Sequence, residues 1–205
     1  MSVIEPLFTG QLSGQRQVTR LAGGVMLHDV SADLPRNSAK RFRIRKKDPT
    51  TLFIHHAGVD NGKDGVEAVR RMASYHVYHK NWAGIGYHYA ITKRPLHDDQ
   101  DNLVVMRVAP ESTVRAHTRG CNRFGTGLVL QGHLGEEDLS HFQEECLEAF
   151  VPWWMETNNR FCKRGLGWHS NSWKWGGIPK RACPGKHSVG WLEDYRASLP
   201  RRVQA

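Results

Sequence analysis

The sequence predicts a single α/β domain of three layers, a central mixed β-sheet flanked by helices. Two observations lead there. Short β-branched and apolar runs alternate with longer segments in which apolar residues recur every three or four positions, and such interleaving suits a layered α/β domain. The chain has 205 residues, 39% of them hydrophobic, enough for one well-formed core with a short appendage.

The elements follow in order. Residues 1–48 read as an irregular basic N-terminal arm, with Gly23-Gly24, Pro35 and the cluster "KRFRIRKK" from Lys40 to Lys47. Residues 49–200 form the domain proper. "TTLFIHHAG" is β-branched and apolar and stops at Gly58, as a buried strand does. "DNGKDG" is turn chemistry. Val66, Val69, Ala73 and Val77 then recur at helical spacing, so residues 65–79 read as an amphipathic helix. "YHYAITK", "NLVVMRV" and "GTGLVLQG" read as three further strands. A helix over 136–159 carries Leu139, Phe142, Leu147, Phe150 and Trp154 on one side, and a last short helix is expected to start at Ser188, a good N-cap.

The formal net charge is +9, which favours polyanionic partners: nucleic acid, anionic lipid or an anionic cell envelope. The basic cluster reads equally well as a solvated segment or a binding patch. No apolar run approaches the roughly 20 residues of a membrane-spanning helix, and the N-terminus lacks the pattern of a secretory signal. Synthesis in the cytoplasm is the expectation. Cys121, Cys146, Cys162 and Cys183 are scattered without a CxxC pair, which argues against a four-cysteine zinc knuckle or a disulfide framework.

One of those cysteines can still be a single metal ligand. A catalytic zinc site takes three protein ligands and keeps a fourth position open. Candidates belong at strand ends and in loops, where segments converge. His55 and His56 end the first predicted strand; adjacent strand residues point to opposite faces, so only one of them should face a pocket. "GWH" supplies His169 and "ACPG" supplies Cys183. Each has an ordinary alternative: a hydrogen-bonded core histidine, or a small buried thiol. Spacing alone leaves both readings open.

Four blocks change the weighing: "LFIHHAG", "GIGYHYAI", "AHTRGCNRFGTGLVLQG" and "GWH…KRACPG", in that order. Together they resemble the zinc-dependent N-acetylmuramoyl-L-alanine amidases of the phage-lysozyme and peptidoglycan-recognition-protein family, over about residues 45–190. The resemblance implies Zn2+ held by His55, His169 and Cys183, with Tyr87 facing the water on the metal. It implies that His117 lines the substrate groove and that Asn122 is more structural than chemical. It implies peptidoglycan as substrate and an endolysin-type lytic enzyme acting on the wall after release or delivery. No nucleic-acid partner is expected, and a monomer is.

Two departures stand out. Phage-type members carry a catalytic lysine two residues before the cysteine; here Arg181 occupies that position, beside Lys180. Arginine cannot exchange a proton usefully but can hold an oxyanion. The loop from His169 to Cys183 is also long, and its "NSWKWGG" brings two tryptophans that either stack on sugar rings or pack on their own domain. A non-catalytic peptidoglycan-recognition module of the same fold is the alternative function. A basic nucleic-acid-binding protein with a structural zinc ranks lower, because no helix-turn-helix or RNA-binding signature is present.

Overall fold

The computed structural model describes residues 17–200 apart from 22–23, 61, 98, 100, 159–162 and 180–181. Seven strands form one mixed sheet in the order β1-β2-β5-β4-β6-β3-β7. They are β1 Gln17–Arg20, β2 Met26–Asp29, β3 Thr51–His56, β4 Tyr89–Ile91, β5 Val104–Arg107, β6 Gly125–Leu130 and β7 Leu166–Trp168. β3 runs parallel to both β6 and β7, and β4 parallel to β6, while β4 and β5 pair antiparallel.

Helices cover both faces. On one, α2 (His141–Thr157) and α3 (Lys186–Ser198) bury Leu147, Phe150, Trp154 and Leu192 against Leu52, Ile54, Leu128 and Leu130. On the other, α1 (Gly65–Ser74) lays Val69 and Ala73 over Ala90, Val104, Met106 and Val129. The helical turn continues from α1 through a π-type stretch, Tyr75–His79, so helical backbone spans the residues the periodicity predicts. The central strands are buried throughout, as parallel strands packed on two faces must be.

Local chemistry sets the helix ends. Ser140 Oγ accepts from the Gln143 amide and the Gln143 side chain accepts from the Ser140 amide, each at 3.2 Å, a capping box. Pro152 inside α2 cannot donate to the Glu148 carbonyl; the Tyr195 hydroxyl, arriving from α3, lies 3.5 Å from that oxygen and 3.3 Å from the Leu147 carbonyl.

Two expectations are corrected, and one strand is added to those the sequence announced. The described part of the N-terminal arm is not irregular: β1 and β2 are strands, and β2 pairs in parallel with β5. Neither four-residue strand has strong alternation of its own; β2 takes its register from the neighbour it joins. β7, only three residues with a glycine at its centre, was invisible for the same reason. Finally, α3 begins at Lys186 with Gly185 at the cap. Ser188 lies inside the first turn and donates back to the Pro184 and Gly185 carbonyls at 3.2 and 3.0 Å.

Candidate metal centre and active site

β3 ends at His55 and His56, and its parallel neighbour β7 is followed at once by His169. In open α/β sheets ligands bind at the carboxyl ends of such strands. Strand alternation separates the two adjacent histidines as expected. His55 lies on the face of Phe53, towards the site, whereas His56 contacts the ring of His133 at 5.7 Å. The His55 and His169 rings meet nearly edge-on, 4.9 Å between centroids.

Cys183 completes the group. Its Sγ lies 3.4 Å from His55 Nδ1, and one donor atom from each of His55, His169 and Cys183 falls within 4.8 Å of the others. The two loops are tied to each other, because the Ser170 amide donates to the Cys183 carbonyl at 2.8 Å. Gly185 then makes a close approach that only glycine permits: φ is +105°, and a Cβ would fall 2.1 Å from the Leu134 carbonyl oxygen. Donors of one tetrahedral zinc ion lie roughly 3.3–3.8 Å apart, so two imidazoles and one thiol at this spacing fit a small, moderately soft cation. His55, His169 and Cys183 can therefore hold a metal ion.

The remaining cysteines behave differently. Burial pushes the thiols of Cys121 and Cys146 up to about 11 and 12, so they stay protonated inside the fold. Cys162 lies outside the described residues.

Tyr87 stands beside this donor group, its ring 5.3 Å from that of His55 and 5.7 Å from that of His76. Burial, and after it the neighbouring Cys183, raises the phenol above the ordinary tyrosine range. Its hydroxyl therefore keeps its proton at neutral pH and can donate. His117 occupies a supporting position behind His55 and is only 6% exposed. The resemblance implies a groove-lining histidine, but both ring nitrogens are engaged by protein groups: Nε2 with the Gly125 carbonyl at 3.0 Å, Nδ1 with Thr118 Oγ1 at 2.9 Å. Burial pushes this imidazole down to about 3, against the opposing pull of the Gly125 hydrogen bond. β6 makes room for the ring with Gly127, where a Cβ would meet His117 Cγ at 2.6 Å. Asn122 Oδ1 accepts from the amides of His117 and Thr118 at 3.1 and 2.7 Å, which shapes the turn carrying them. Lys180 and Arg181 lie outside the described residues.

The sequence reading missed two supports. Thr118 follows His117 directly, and its hydroxyl lies 3.2 Å from His55 Nε2; adjacency to a candidate histidine was its only signal. Arg45 looked like one more cation in a basic run. Its guanidinium instead reaches the carbonyls of Glu111, Arg123, Gly125, Thr113 and Asn122 at 2.8, 2.8, 3.1, 3.3 and 3.5 Å, fastening the loop that carries His117. Replacing Arg45 by methionine strands those acceptors and is expected to lower stability by about 3 kcal/mol, measured by urea denaturation. A loss under about 0.5 kcal/mol, the range of ordinary surface substitutions, would contradict this role.

The two loop tryptophans divide between the readings. Trp175 packs on its own domain, edge-on to Phe53 at 5.5 Å, with Nε1 donating to the Arg164 carbonyl at 3.2 Å. Trp173 is 62% exposed.

A mixed sheet thus brings His55 and His169, at the ends of two parallel strands, together with Cys183 from a following loop, a donor set that could hold a metal ion. The profile of one family, N-acetylmuramoyl-L-alanine amidase, matches residues 45–186. The chain belongs to this family, whose members are hydrolases of an amide bond. No curated protein sequence matches the chain significantly. Among solved structures, the N-acetylmuramoyl-L-alanine amidase LysC from Clostridium intestinale is similar at 22% identity, covering 86% of this chain and 98% of its own, with TM-score 0.65. Drosophila PGRP-LB is 17% identical over 86% of this chain and 95% of its own, TM-score 0.64. The Ph2119 endolysin from the Thermus scotoductus bacteriophage Ph2119 is 17% identical over 83% and 98%, TM-score 0.61. At these identities the structural likeness speaks for the fold. Among the described residues, no helix is long and apolar enough to cross a membrane.

Proposed function

We propose that the chain is a zinc-dependent N-acetylmuramoyl-L-alanine amidase. It cuts peptidoglycan at the amide joining the lactyl group of N-acetylmuramic acid to L-alanine, as an endolysin-type lytic enzyme. The observation that carries this is the convergence of His55, His169 and Cys183 beside Tyr87, in a chain of this family. The endolysins among the structural neighbours support the setting.

His55, His169 and Cys183 would hold the zinc ion, the thiolate making the site less positive than three neutral imidazoles would. Bound there, zinc polarises the scissile carbonyl and lowers the pKa of water towards roughly 7. The protein supplies the rest. Tyr87 Oη donates a hydrogen bond to the oxygen that gains negative charge as the carbonyl becomes tetrahedral. Lys180 or Arg181 holds that charge or steadies the departing amine; of the two only Lys180 can deliver a proton. The exposed basic segment with Arg43, Lys46 and Lys47 draws the protein towards the carboxylates and phosphates of an anionic wall. Trp173, exposed and with the Lys174 ammonium 5.6 Å from its ring centre, offers an aromatic surface to a sugar. Such an enzyme reaches the wall after release or delivery, as a monomer.

The test is digestion of isolated peptidoglycan with and without a chelator, with fragments identified by mass spectrometry. Stem peptides beginning with L-alanine, lost on chelation and restored by zinc, are expected. Intact wall at every zinc level, with the protein pelleting on it, would leave a non-catalytic recognition module instead. Tyr87→Phe is expected to lower kcat about 100- to 1,000-fold with little change in KM, the cost of one oxyanion donor. An unchanged kcat would remove Tyr87 from the chemistry.

A further inference from the structure

The contacts behind His55 have a direction. The Gly125 carbonyl can only accept, so the 3.0 Å contact from His117 Nε2 places a proton on that nitrogen. Arg45 Nη2 shares the same carbonyl at 3.1 Å, which disfavours a second positive charge on the buried ring. In the neutral ring Nδ1 is then an acceptor. Thr118 Oγ1 lies 2.9 Å from it, so the hydroxyl donates there and turns its lone pairs outward. His55 Nε2 meets those lone pairs at 3.2 Å and His117 Nδ1 at 3.3 Å. Thr118 Oγ1 accepts and His117 Nδ1 has no proton to give, so Nε2 carries the His55 proton. The unprotonated nitrogen of His55 is then Nδ1, which faces Cys183 Sγ at 3.4 Å.

We propose that Thr118 and His117 are positioning residues that set the tautomer of His55, an ordered chain from the Gly125 carbonyl through His117 and Thr118 presenting His55 Nδ1 ready for the metal. This rests on the zinc reading above, and it moves His117 from the substrate groove to the support of a metal ligand. The three side chains are nearly inaccessible, at 1% for His55, 6% for His117 and 0% for Thr118. Water therefore does not compete for these hydrogen bonds, and the tautomer is set before the metal arrives.

The experiment uses the full chain labelled with 15N-histidine. Long-range 1H–15N spectra of the zinc-free protein should show His55 protonated at Nε2. Zinc affinity is then measured by competition with a chromogenic chelator. Thr118→Val should weaken zinc binding about 10- to 100-fold, as losses of such supporting partners do, while Thr118→Ser should bind as the wild type does. Three results would overturn the proposal: His55 protonated at Nδ1 in the zinc-free wild type, Thr118→Val binding zinc normally, or Thr118→Ser weakened as much as valine. The spectra of the wild type decide the matter even where a variant fails to fold. A wild type that binds no zinc at all would instead overturn the metal reading itself, and the chain of hydrogen bonds with it.

Discussion

Replacing Cys183 with alanine is expected to take zinc stoichiometry from one to zero and to lower kcat/KM by at least about 1,000-fold. A metal ion that polarises a carbonyl contributes several kcal/mol to the transition state, and each 1.36 kcal/mol is tenfold in rate. The thiol is the one soft donor of the group. Without it two imidazoles are left, and three ligands are what a catalytic zinc needs. The fold should survive, because Cys183 belongs to neither apolar cluster. The variant should therefore keep its far-ultraviolet circular dichroism and still pellet with isolated walls, binding without cutting. Metal analysis of the purified protein and a dye-release assay on labelled peptidoglycan read both parts. A Cys183→Ala protein that still cuts at wild-type rate would sink the assignment of this group as the catalytic centre.

The largest loss of stability is expected for Trp154→Ala, about 3–5 kcal/mol. Trp154 is fully buried on α2 against the sheet. Its removal takes away a large apolar contact and one hydrogen bond, from Nε1 to Glu111 Oε1 at 2.6 Å. Glu111 would keep only the Thr126 hydroxyl on that oxygen, at 2.9 Å. A melting temperature lower by roughly 6–20 °C follows for a chain of this size, at about 2–4 °C per kcal/mol. Activity should fall faster on heating than the global unfolding signal does, because Glu111 also gives its backbone carbonyl to Arg45, which fastens the loop carrying His117. Calorimetry alongside residual activity checks this. A midpoint within about 2 °C of wild type would mean that the site refills and the tryptophan is not the anchor it looks like.

Three contributions explain how far a bare chain could be read. Long elements with strong periodicity were legible because their burial is written in their own residues. The β3 run "TLFIHH", the α1 stripe and the α2 stripe each carry their apolar face locally. Strand alternation was enough to say that one of His55 and His56 faces the site, and the ordered motif blocks pointed to His55, His169 and Cys183, whose donor atoms the structure brings together. Short elements were not legible: β1, β2 and β7 hold their places through neighbours contributed from elsewhere in the chain.

The same division runs through the site. By itself the sequence determined the layered class, the donor types and the family, because spacing, polarity and motif order are local properties. Only the tertiary structure decided which atoms face one another. It turned Arg45 from a surface cation into a clamp on five backbone carbonyls, sent Trp175 inward and left Trp173 outside. It also set His117 behind His55 with Thr118 between their nitrogens. The physical reason is that hydrogen-bond direction and burial belong to pairs of groups brought together across 60 or so residues of chain, such as the separation of 63 between His55 and Thr118. No local pattern encodes that meeting, and the packing of strands and loops around β3 and β6 produces it.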